Sequence, residues 1–481
     1  MSSCRKSRDC EVYATAERAD PTERGMGANL RLGVSLSLLV ACGGNDNKAC
    51  DPVKQTGCNN GQTCEQVSGG EPACFAPVEV HGRVLDLATS MPIAGAQVVA
   101  VDVNGAAASS VATSATDGTY ALPVPAQRNM DGTPSAFPVS LRADAAGYQS
   151  FPGTVRQALP LDIATAATDG GKLVLKSVLT DIGLIAEPNA SAGSIHGKVA
   201  VPDDHAGALV VAETGGKGFA GIVSRDGDYT IFNLAAAHYT VTAYSLGHVY
   251  TPKETDVAAS AVTVDLALAS DAPGSISGQI SIVNGGGSSN TSVVAFVEST
   301  FDPTTGRGIA PPGLRSPRTG APNVTGAFTL DGVPPGRYVV VAAFENDGLV
   351  RDPDHCISGT ADVHVQVAAG QPTATPTAFK VTGALAVMTP GADMAEQITG
   401  TPTFKWADDS GEDQYLVEVF DSFGQRIWMN TMPGVSGSNP SMVYAGPALQ
   451  SGMYYQWRAT SSKNQCELSR SEDLRGVFFL P

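Results

Sequence analysis

Apolar and polar residues alternate in short runs along most of this chain. Three runs open in the same way, namely VEVHGRV at 78–84, GSIHGKV at 193–199 and GSISGQI at 274–280. Each places a glycine two residues before a β-branched residue. Apolar and polar residues alternate along each run, as they do in a half-buried strand. The pattern predicts β-strands at these three places.

Two further segments follow each opening strand in the same order. The second strands are AGAQVVAVDV from Ala94, AGALVVAET from Ala206 and TSVVAFVEST from Thr291. A glycine with an aromatic residue two positions later then marks a hairpin, in DGTYAL at 117–122, DGDYTI at 226–231 and TGAFTL at 325–330. Tyr239 and Tyr338 follow Gly227 and Gly326 at the same interval. The chain therefore contains three loosely similar repeats.

The composition agrees with a fold made of strands and turns. The chain has 53 glycines and 31 prolines, and only 16% of its residues are charged, which is typical of turn-rich proteins without exposed helices. Alternating strands with Asp-Gly and Pro-Gly turns close most readily as antiparallel sandwiches. We therefore predict an all-β protein of tandem antiparallel β-sandwich domains.

The first repeat resembles the carboxypeptidase regulatory-like, or prealbumin-like, domain. Its pattern of G-x-V-x-D, P-[IL]-x-G-A-x-V and D-G-x-[YF] is matched at Gly82, Val84, Asp86, Pro92, Ile93, Gly95, Ala96, Val98, Asp117, Gly118 and Tyr120. The resemblance implies a seven-stranded sandwich of prealbumin-like or Ig-like type and no catalytic residue. The second repeat lacks the P-[IL]-x-G-A turn. The third carries a long insertion, FDPTTGRGIAPPGLRSPRTGAPN at 301–323.

The region beyond Gly383 changes character and contains all three tryptophans. Its strand spacing resembles a fibronectin type III module. Alternation places Phe404 and Trp406 on one face, which favours a core position over a carbohydrate-binding platform for Trp406. We expect the same for Trp457, whereas for Trp428 both interpretations stay open.

The stretch LSLLVACGGNDNKAC at 36–50 ends an apolar run on a cysteine. Leu32–Ala41 is about half of the roughly 20 apolar residues that a membrane-spanning helix needs, and with Arg31 before it the run is typical of a secretory signal peptide. Leu39-Val40-Ala41-Cys42 resembles the bacterial lipobox, which implies acylation of Cys42. The alternatives are an ordinary signal peptide or a buried strand. Residues 1–25 are predicted to be an upstream extension, with translation starting at Met26.

Six cysteines remain once Cys4, Cys10 and the lipobox cysteine are set aside. In an exported chain an even number favours disulfides. The sequence therefore predicts disulfide-bonded cysteines at Cys50, Cys58, Cys64, Cys74, Cys356 and Cys466. The first four are spaced C-x₇-C-x₅-C-x₉-C, whereas a zinc site would want C-x₂₋₄-C pairs. We therefore expect two disulfides among these four, in one of three pairings. The last two are predicted to bridge neighbouring domains, with free thiols or an intermolecular pair as alternatives.

Catalytic and metal-binding motifs are not found. No pair among His81, His196, His205, His238, His248, His355 and His364 has the i, i+4 spacing of a zinc helix. Asp352 with Asp354, and the group Asp408, Asp409, Glu412 and Asp413, are expected to be solvated turns rather than calcium sites. Lys198 should point outward, which disfavours the Lys–Asn isopeptide bond of collagen-adhesin B-type sandwiches. We expect no catalytic residue, no metal and no cofactor.

Charge and the predicted anchor together indicate a function. With 47 acidic and 30 basic side chains, the chain should repel nucleic acid, so membrane attachment would come from acyl chains. Gly43 after the lipobox cysteine favours the outer membrane. We expect a non-enzymatic, lipid-anchored cell-envelope protein with a structural, adhesive or partner-binding role. The alternative is a carbohydrate-binding surface lipoprotein, so the expected partners are the membrane, an envelope protein or a polysaccharide.

The expected organisation follows from these assignments. It comprises an extension (1–25), a lipoprotein signal peptide (26–41), the anchor, linker and Cys-rich knot (42–77), a carboxypeptidase regulatory-like sandwich (78–186), a second sandwich (192–270), a third sandwich (273–381) and a fibronectin type III-like sandwich (384–481).

Overall fold

The computed structural model describes residues 50–152, 158–200, 206–283, 291–304, 306–318, 322–343, 362–409 and 411–481. Residues 48–481 belong to one compact unit. Within the described ranges the chain is all β, with three short 3₁₀ turns at Ile163–Thr165, Val178–Thr180 and Glu298–Thr300. None of the helical segments described is long and apolar enough to cross a membrane. The predicted all-β fold of largely antiparallel sheets is confirmed.

The strands fall into a small knot and four two-sheet sandwiches. The knot is one hairpin, made of β1 (Thr63–Glu65) and β2 (Ala73–Phe75). The first sandwich contains β3 (Val78–Asp86), β4 (Gln97–Val101), β5 (Ala112–Thr113), β6 (Thr119–Val124), β7 (Pro138–Asp144), β8 (Leu161–Asp162), β9 (Ala167–Asp169), β10 (Lys172–Leu175) and β11 (Ile182–Leu184).

The second and third sandwiches repeat this order with fewer strands. The second contains β12 (Gly193–Lys198), β13 (Leu209–Thr214), β14 (Lys217–Ile222), β15 (Asp228–Leu234), β16 (Ala237–Ser245), β17 (His248–Val249), β18 (Lys253–Val257) and β19 (Ala261–Thr263). The third contains β20 (Gly274–Val283), β21 (Ser292–Val297), β22 (Arg315–Ser316), β23 (Ala327–Val333), β24 (Gly336–Ala343), β25 (Val363–Val367), β26 (Pro372–Ala374) and β27 (Phe379–Thr382).

The fourth sandwich has a different strand order, with a sheet β28-β30-β33 and a larger sheet built on β31 and β34. Its strands are β28 (Val387–Thr389), β29 (Glu396–Gln397), β30 (Thr403–Trp406), β31 (Gln414–Asp421), β32 (Arg426–Pro433), β33 (Ser441–Val443), β34 (Tyr454–Lys463), β35 (Cys466–Arg470) and β36 (Val477–Phe479). Trp406 and Trp457 are fully buried in its core, as the alternation predicts.

A glycine–tyrosine contact explains the shared sequence pattern of the first two repeats. The opening strand pairs antiparallel with the D-G-x-Y strand and parallel with the last strand, so Gly82 lies opposite Tyr120. The Tyr120 hydroxyl donates to the Thr180 carbonyl across the opening strand at 2.6 Å. A Cβ at Gly82 would lie 2.0 Å from that carbonyl oxygen. Only glycine lets the tyrosine reach the 3₁₀ turn that precedes the last strand.

The second repeat uses the same contact. Gly197 lies opposite Tyr229, whose hydroxyl donates to the Val264 carbonyl at 2.6 Å. In the third repeat Phe328 replaces the tyrosine opposite Gly278 and supplies no hydroxyl; the Thr375 N–H, just after β26, donates to the Ser277 carbonyl. The repeats predicted from the sequence are therefore one structural unit with one variation.

The second and third sandwiches share an apolar core. On β13, Val210 and Ala212 point into the core of the second sandwich, while Leu209 and Val211 join the core cluster of the third. Tyr244 of β16 belongs to that same cluster and packs edge-on against Tyr338, with ring centroids 6.2 Å apart. The core of the third sandwich therefore continues onto the outer face of the second, whose other face lines a core made of its own residues.

We predict that Leu209→Ala will lower the free energy of unfolding by about 2–5 kcal/mol, as for a residue inside a single core. The matched control is Leu268→Ala, since Leu268 is 45% exposed and should cost about 1 kcal/mol or less. Denaturant unfolding of the 48–481 fragment measures both. Equal, small losses would mean that the two sandwiches only touch.

Candidate functional site: the junctions between the sandwiches

Several sequence-predicted positions lie outside the described residues. These are the upstream extension, the signal peptide, the acylation site Cys42, and the residues Cys356, His205, His355, Asp352 and Asp354. The predictions for them stay predictions.

The four N-terminal cysteines form two interlaced disulfides, Cys50–Cys64 and Cys58–Cys74. The structure thus selects one of the three pairings that the sequence left open. Cys50, Cys58 and Cys74 have closely spaced sulfur atoms, but all three are oxidised and none can act as a thiolate ligand for zinc. Each bridge closes a loop of 14 or 16 residues, for which chain entropy predicts about 3 kcal/mol of stabilisation.

A buried ion pair fixes this knot to the first sandwich. Glu65 follows Cys64 on β1 and binds the guanidinium of Arg128, and both side chains are almost completely shielded from solvent. Arg128 also donates to the Ala76 carbonyl at 2.8 Å and lies over the ring of Phe75, 4.7 Å from its centroid. Because every charge is paired and hydrogen-bonded, the contact sets the orientation of the knot without leaving an isolated buried charge.

The described residues of the insertion, 301–304, 306–318 and 322–323, lie at the junctions between sandwiches. Its segment 311–314 is buried, and Leu314 belongs to the core shared by the second and third sandwiches. The Gly313 N–H donates to the Asn104 carbonyl of the first sandwich at 2.9 Å. Phe301 and Ala310 cover the outer face of β21 and β24. The insertion is therefore a brace inside the molecule.

The insertion also reaches the fourth sandwich. Arg307 donates through Nη2 to Asp473 Oδ2 at 3.0 Å, and the Asp473 side chain is completely buried. The other carboxylate oxygen of Asp473 accepts from Arg458, which lies over the ring of Phe420. Two cations thus compensate one buried anion at this junction.

Gly207 marks the point where the first three sandwiches meet. It adopts φ +76°, and a Cβ there would lie 2.7 Å from the Ala106 Cβ and 3.0 Å from the Pro312 Cβ. These two neighbours belong to the first and third sandwiches. The close approach therefore requires glycine for both conformation and space.

Asn233 forms a second clamp between the first two sandwiches. It has a positive φ of 62°. Its side chain accepts from the Gly147 N–H at 2.7 Å and donates to the Tyr148 carbonyl at 2.8 Å. Asparagine adopts this left-handed conformation more readily than most residues. Its amide binds the loop that follows β7 of the first sandwich.

A cavity of about 250 Å³ lies where the knot, the first sandwich and the second sandwich meet. Its lining includes Glu65 from the knot, Asp102 from the first sandwich and Arg225 from the second. The backbone N–H of Arg225 donates to Ser109 of the first sandwich at 3.1 Å. The cavity is therefore formed only when the three modules are assembled.

Other predicted positions behave as structural residues. Lys198 is 63% exposed and pairs with Asp228 at 2.7 Å, so it points outward as expected. Asp409, Glu412 and Asp413 accept hydrogen bonds from Ser461, Val435 and Asn464. Among the described histidines, His238 pairs with acidic neighbours on the surface, and hydrogen bonding to Asp256 raises its pKa.

Trp428, for which the sequence left two interpretations, is half-buried. Its ring centroid lies 5.1 Å from that of Tyr444 and 6.0 Å from that of Phe404. It therefore closes the edge of the fourth core and presents only part of its surface to solvent.

Sequence reasoning missed the junction residues. Nothing local distinguishes Glu65, Arg128, Asn233 or Arg307 from surface polar residues, because their partners are far away in the chain. One signal was present. The runs ALVVA at 208–212 and VVAFV at 293–297 are continuously apolar, which is the pattern of a strand buried on both faces.

No protein-family model and no curated protein matches this chain. Among solved structures, it is similar to the Bacillus anthracis TIE protein at 11% identity over 81% of this chain and 68% of that one, with a TM-score of 0.15. A DUF3823 family protein from Bacteroides ovatus has 11% identity over 43% and 100%, with a TM-score of 0.21. The major pilin subunit BcpA of Bacillus cereus has 10% identity over 62% and 99%, with a TM-score of 0.17. At these identities and TM-scores, the similarities do not indicate a function for this chain.

We predict that Gly207→Ala will destabilise the chain more than Gly216→Ala does, by about 1–3 kcal/mol. Gly216 has a similar φ of 78°, but a Cβ added there would meet no atom within 4 Å, so it controls for backbone strain alone. Thermal unfolding of both variants measures the difference. Equal losses would show that the three sandwiches do not meet tightly at this point.

Cys466 is disulfide-bonded, and the four described cysteines of the knot pair with one another. We predict that its partner is Cys356, so that the bridge joins the third and fourth sandwiches. Non-reducing peptide mapping should recover one peptide that contains both cysteines. Recovery of both as alkylated thiols, with the knot still oxidised, would exclude the bridge.

Proposed function

We propose that this chain is a lipid-anchored cell-envelope protein with a structural or adhesive role, and that Cys42 carries the anchor. The observation that supports this best is the brace at 301–323, which contacts the other three sandwiches. A structural or adhesive protein must hold its far end in a defined position relative to its attachment point. Buried contacts at each junction serve that purpose.

The knot is suited to lie next to an anchor. Cys50 comes eight positions after the predicted acylation site, and its bridge to Cys64 leads directly to the buried Glu65–Arg128 pair. Any pull on the anchor would therefore reach the first sandwich through covalent bonds and a buried ion pair. At about 0.8 kcal/mol per buried methylene, two or more acyl chains make attachment effectively permanent.

The proposed role does not involve catalysis. Within the described residues, the cysteine sulfurs of the knot form the one group with metal-binding proximity, and they are oxidised. His81, His196, His238 and His364 are bound to neighbouring side chains. Glu412 and Asp413 accept from backbone N–H groups. At two junctions, buried charged side chains pair with one another, Glu65 with Arg128 and Asp473 with Arg307, and hold the modules together.

We predict that a fatty-acid analogue will label the wild-type protein in a Gram-negative host and that Cys42→Ser will abolish the label. Asn45→Ser is the matched control and should retain it, because the residue lies three positions after the predicted acylation site. Gel fluorescence after metabolic labelling gives the readout. Persistent labelling of Cys42→Ser would refute the anchor.

The functional class is tested with the 48–481 fragment on a glycan array and in a pull-down from envelope extract. We expect capture of an envelope protein and no glycan signal. Specific retention of a polysaccharide would instead support the carbohydrate-binding alternative.

A further inference from the structure

The junction cavity contains two charged groups whose hydrogen bonding is incomplete. Arg225 donates through Nη2 to the Pro52 carbonyl at 2.5 Å, but its buried Nε has no acceptor in the described part of the chain. A buried guanidinium N–H without an acceptor is costly, since the desolvation is not offset. Arg225 lines the cavity, so a negative charge placed there would compensate its poorly solvated positive charge.

Asp102 provides the complementary group on the opposite module. Its Oδ1 accepts from the N–H groups of Asn104 and Ala106, at 2.8 and 2.9 Å. Those two bonds, both to Oδ1, are the hydrogen bonds that the carboxylate makes within the described residues. Oδ2 thus makes no hydrogen bond within the described residues, and Asp102 lines the cavity.

Burial affects both groups in the sense expected of poorly solvated charges. It raises the pKa of Asp102, and it lowers the pKa of Arg225 although the negative charges of Asp226 and Glu65 act in the opposite direction. Glu65 is bound to Arg128 and so does not satisfy Arg225 by contact. Each of the two charges would therefore gain from an opposite charge placed in the cavity.

We propose that this cavity binds a small zwitterion of amino-acid size, with its carboxylate on Arg225 and its ammonium group on Asp102. Small apolar residues form much of the remaining wall, among them Ala106, Ala108, Pro125 and Ala126. The volume of about 250 Å³ lies below the range of roughly 300–1,000 Å³ that drug-sized ligands occupy. A free amino acid and the zwitterionic end of a peptide share this chemistry.

The proposal is independent of the lipid anchor, and it is tested by calorimetric titration of the 48–481 fragment with glycine, L-alanine, L-lysine and the dipeptide Ala-Ala. D-glucose serves as an uncharged ligand of similar size. We expect at least one amino acid or the dipeptide to bind, and glucose not to bind. Tighter binding of the dipeptide than of the amino acids would identify a peptide end as the source.

Three variants locate the site. Asp102→Asn retains the acceptor for the two backbone N–H groups but removes the charge, and should weaken binding at least tenfold. Asp117→Asn is the control, because Asp117 makes the same kind of turn at an exposed position. Ala107→Leu should abolish binding by filling the cavity, and thermal unfolding verifies that each variant folds. Binding of glucose instead, an unaltered affinity in Asp102→Asn, or no binding of any probe would overturn the proposal.

Discussion

The architecture depends on two strands that are buried on both faces. β13 in the second sandwich and β21 in the third each lie in the middle of a sheet, and the first four residues of β13 and all six of β21 are buried. Since successive side chains point to opposite faces, each strand supplies two apolar layers. One layer fills its own sandwich, and the other packs against a neighbour or against the insertion. Separating the modules would expose the second layer to water.

The insertion completes this arrangement because its polar part contacts the fourth sandwich and its apolar part lies between the first three. Leu314 and the two prolines shortly before it fill space between sandwiches, and prolines carry no N–H that would need an acceptor there. The Gly313 N–H finds the Asn104 carbonyl. Arg307 at the other end supplies a charge to a buried aspartate. A segment rich in glycine and proline can thus be buried when its backbone groups are satisfied.

Much of the fold could be predicted from the sequence, because its signals are local. Alternation, the glycine turns before Tyr120 and Tyr229, and the core positions of Trp406 and Trp457 each depend on residues within one module. The junctions could not be predicted in the same way. The pairing of Glu65 with Arg128, of Arg307 with Asp473, and of Asn233 with the loop at Gly147 joins residues that no periodicity relates. The disulfide pairing stayed open for the same reason, since spacing permitted three solutions.

The second and third sandwiches should behave as one cooperative unit, and native-state hydrogen exchange followed by mass spectrometry tests this most directly. Core amides of β13 and β16 and those of β21 and β24 should show the same free energy of opening and the same dependence on denaturant, because the core of the third sandwich includes side chains of β13 and β16. Complete exchange of one sandwich at a denaturant concentration where the other stays protected would contradict a shared core.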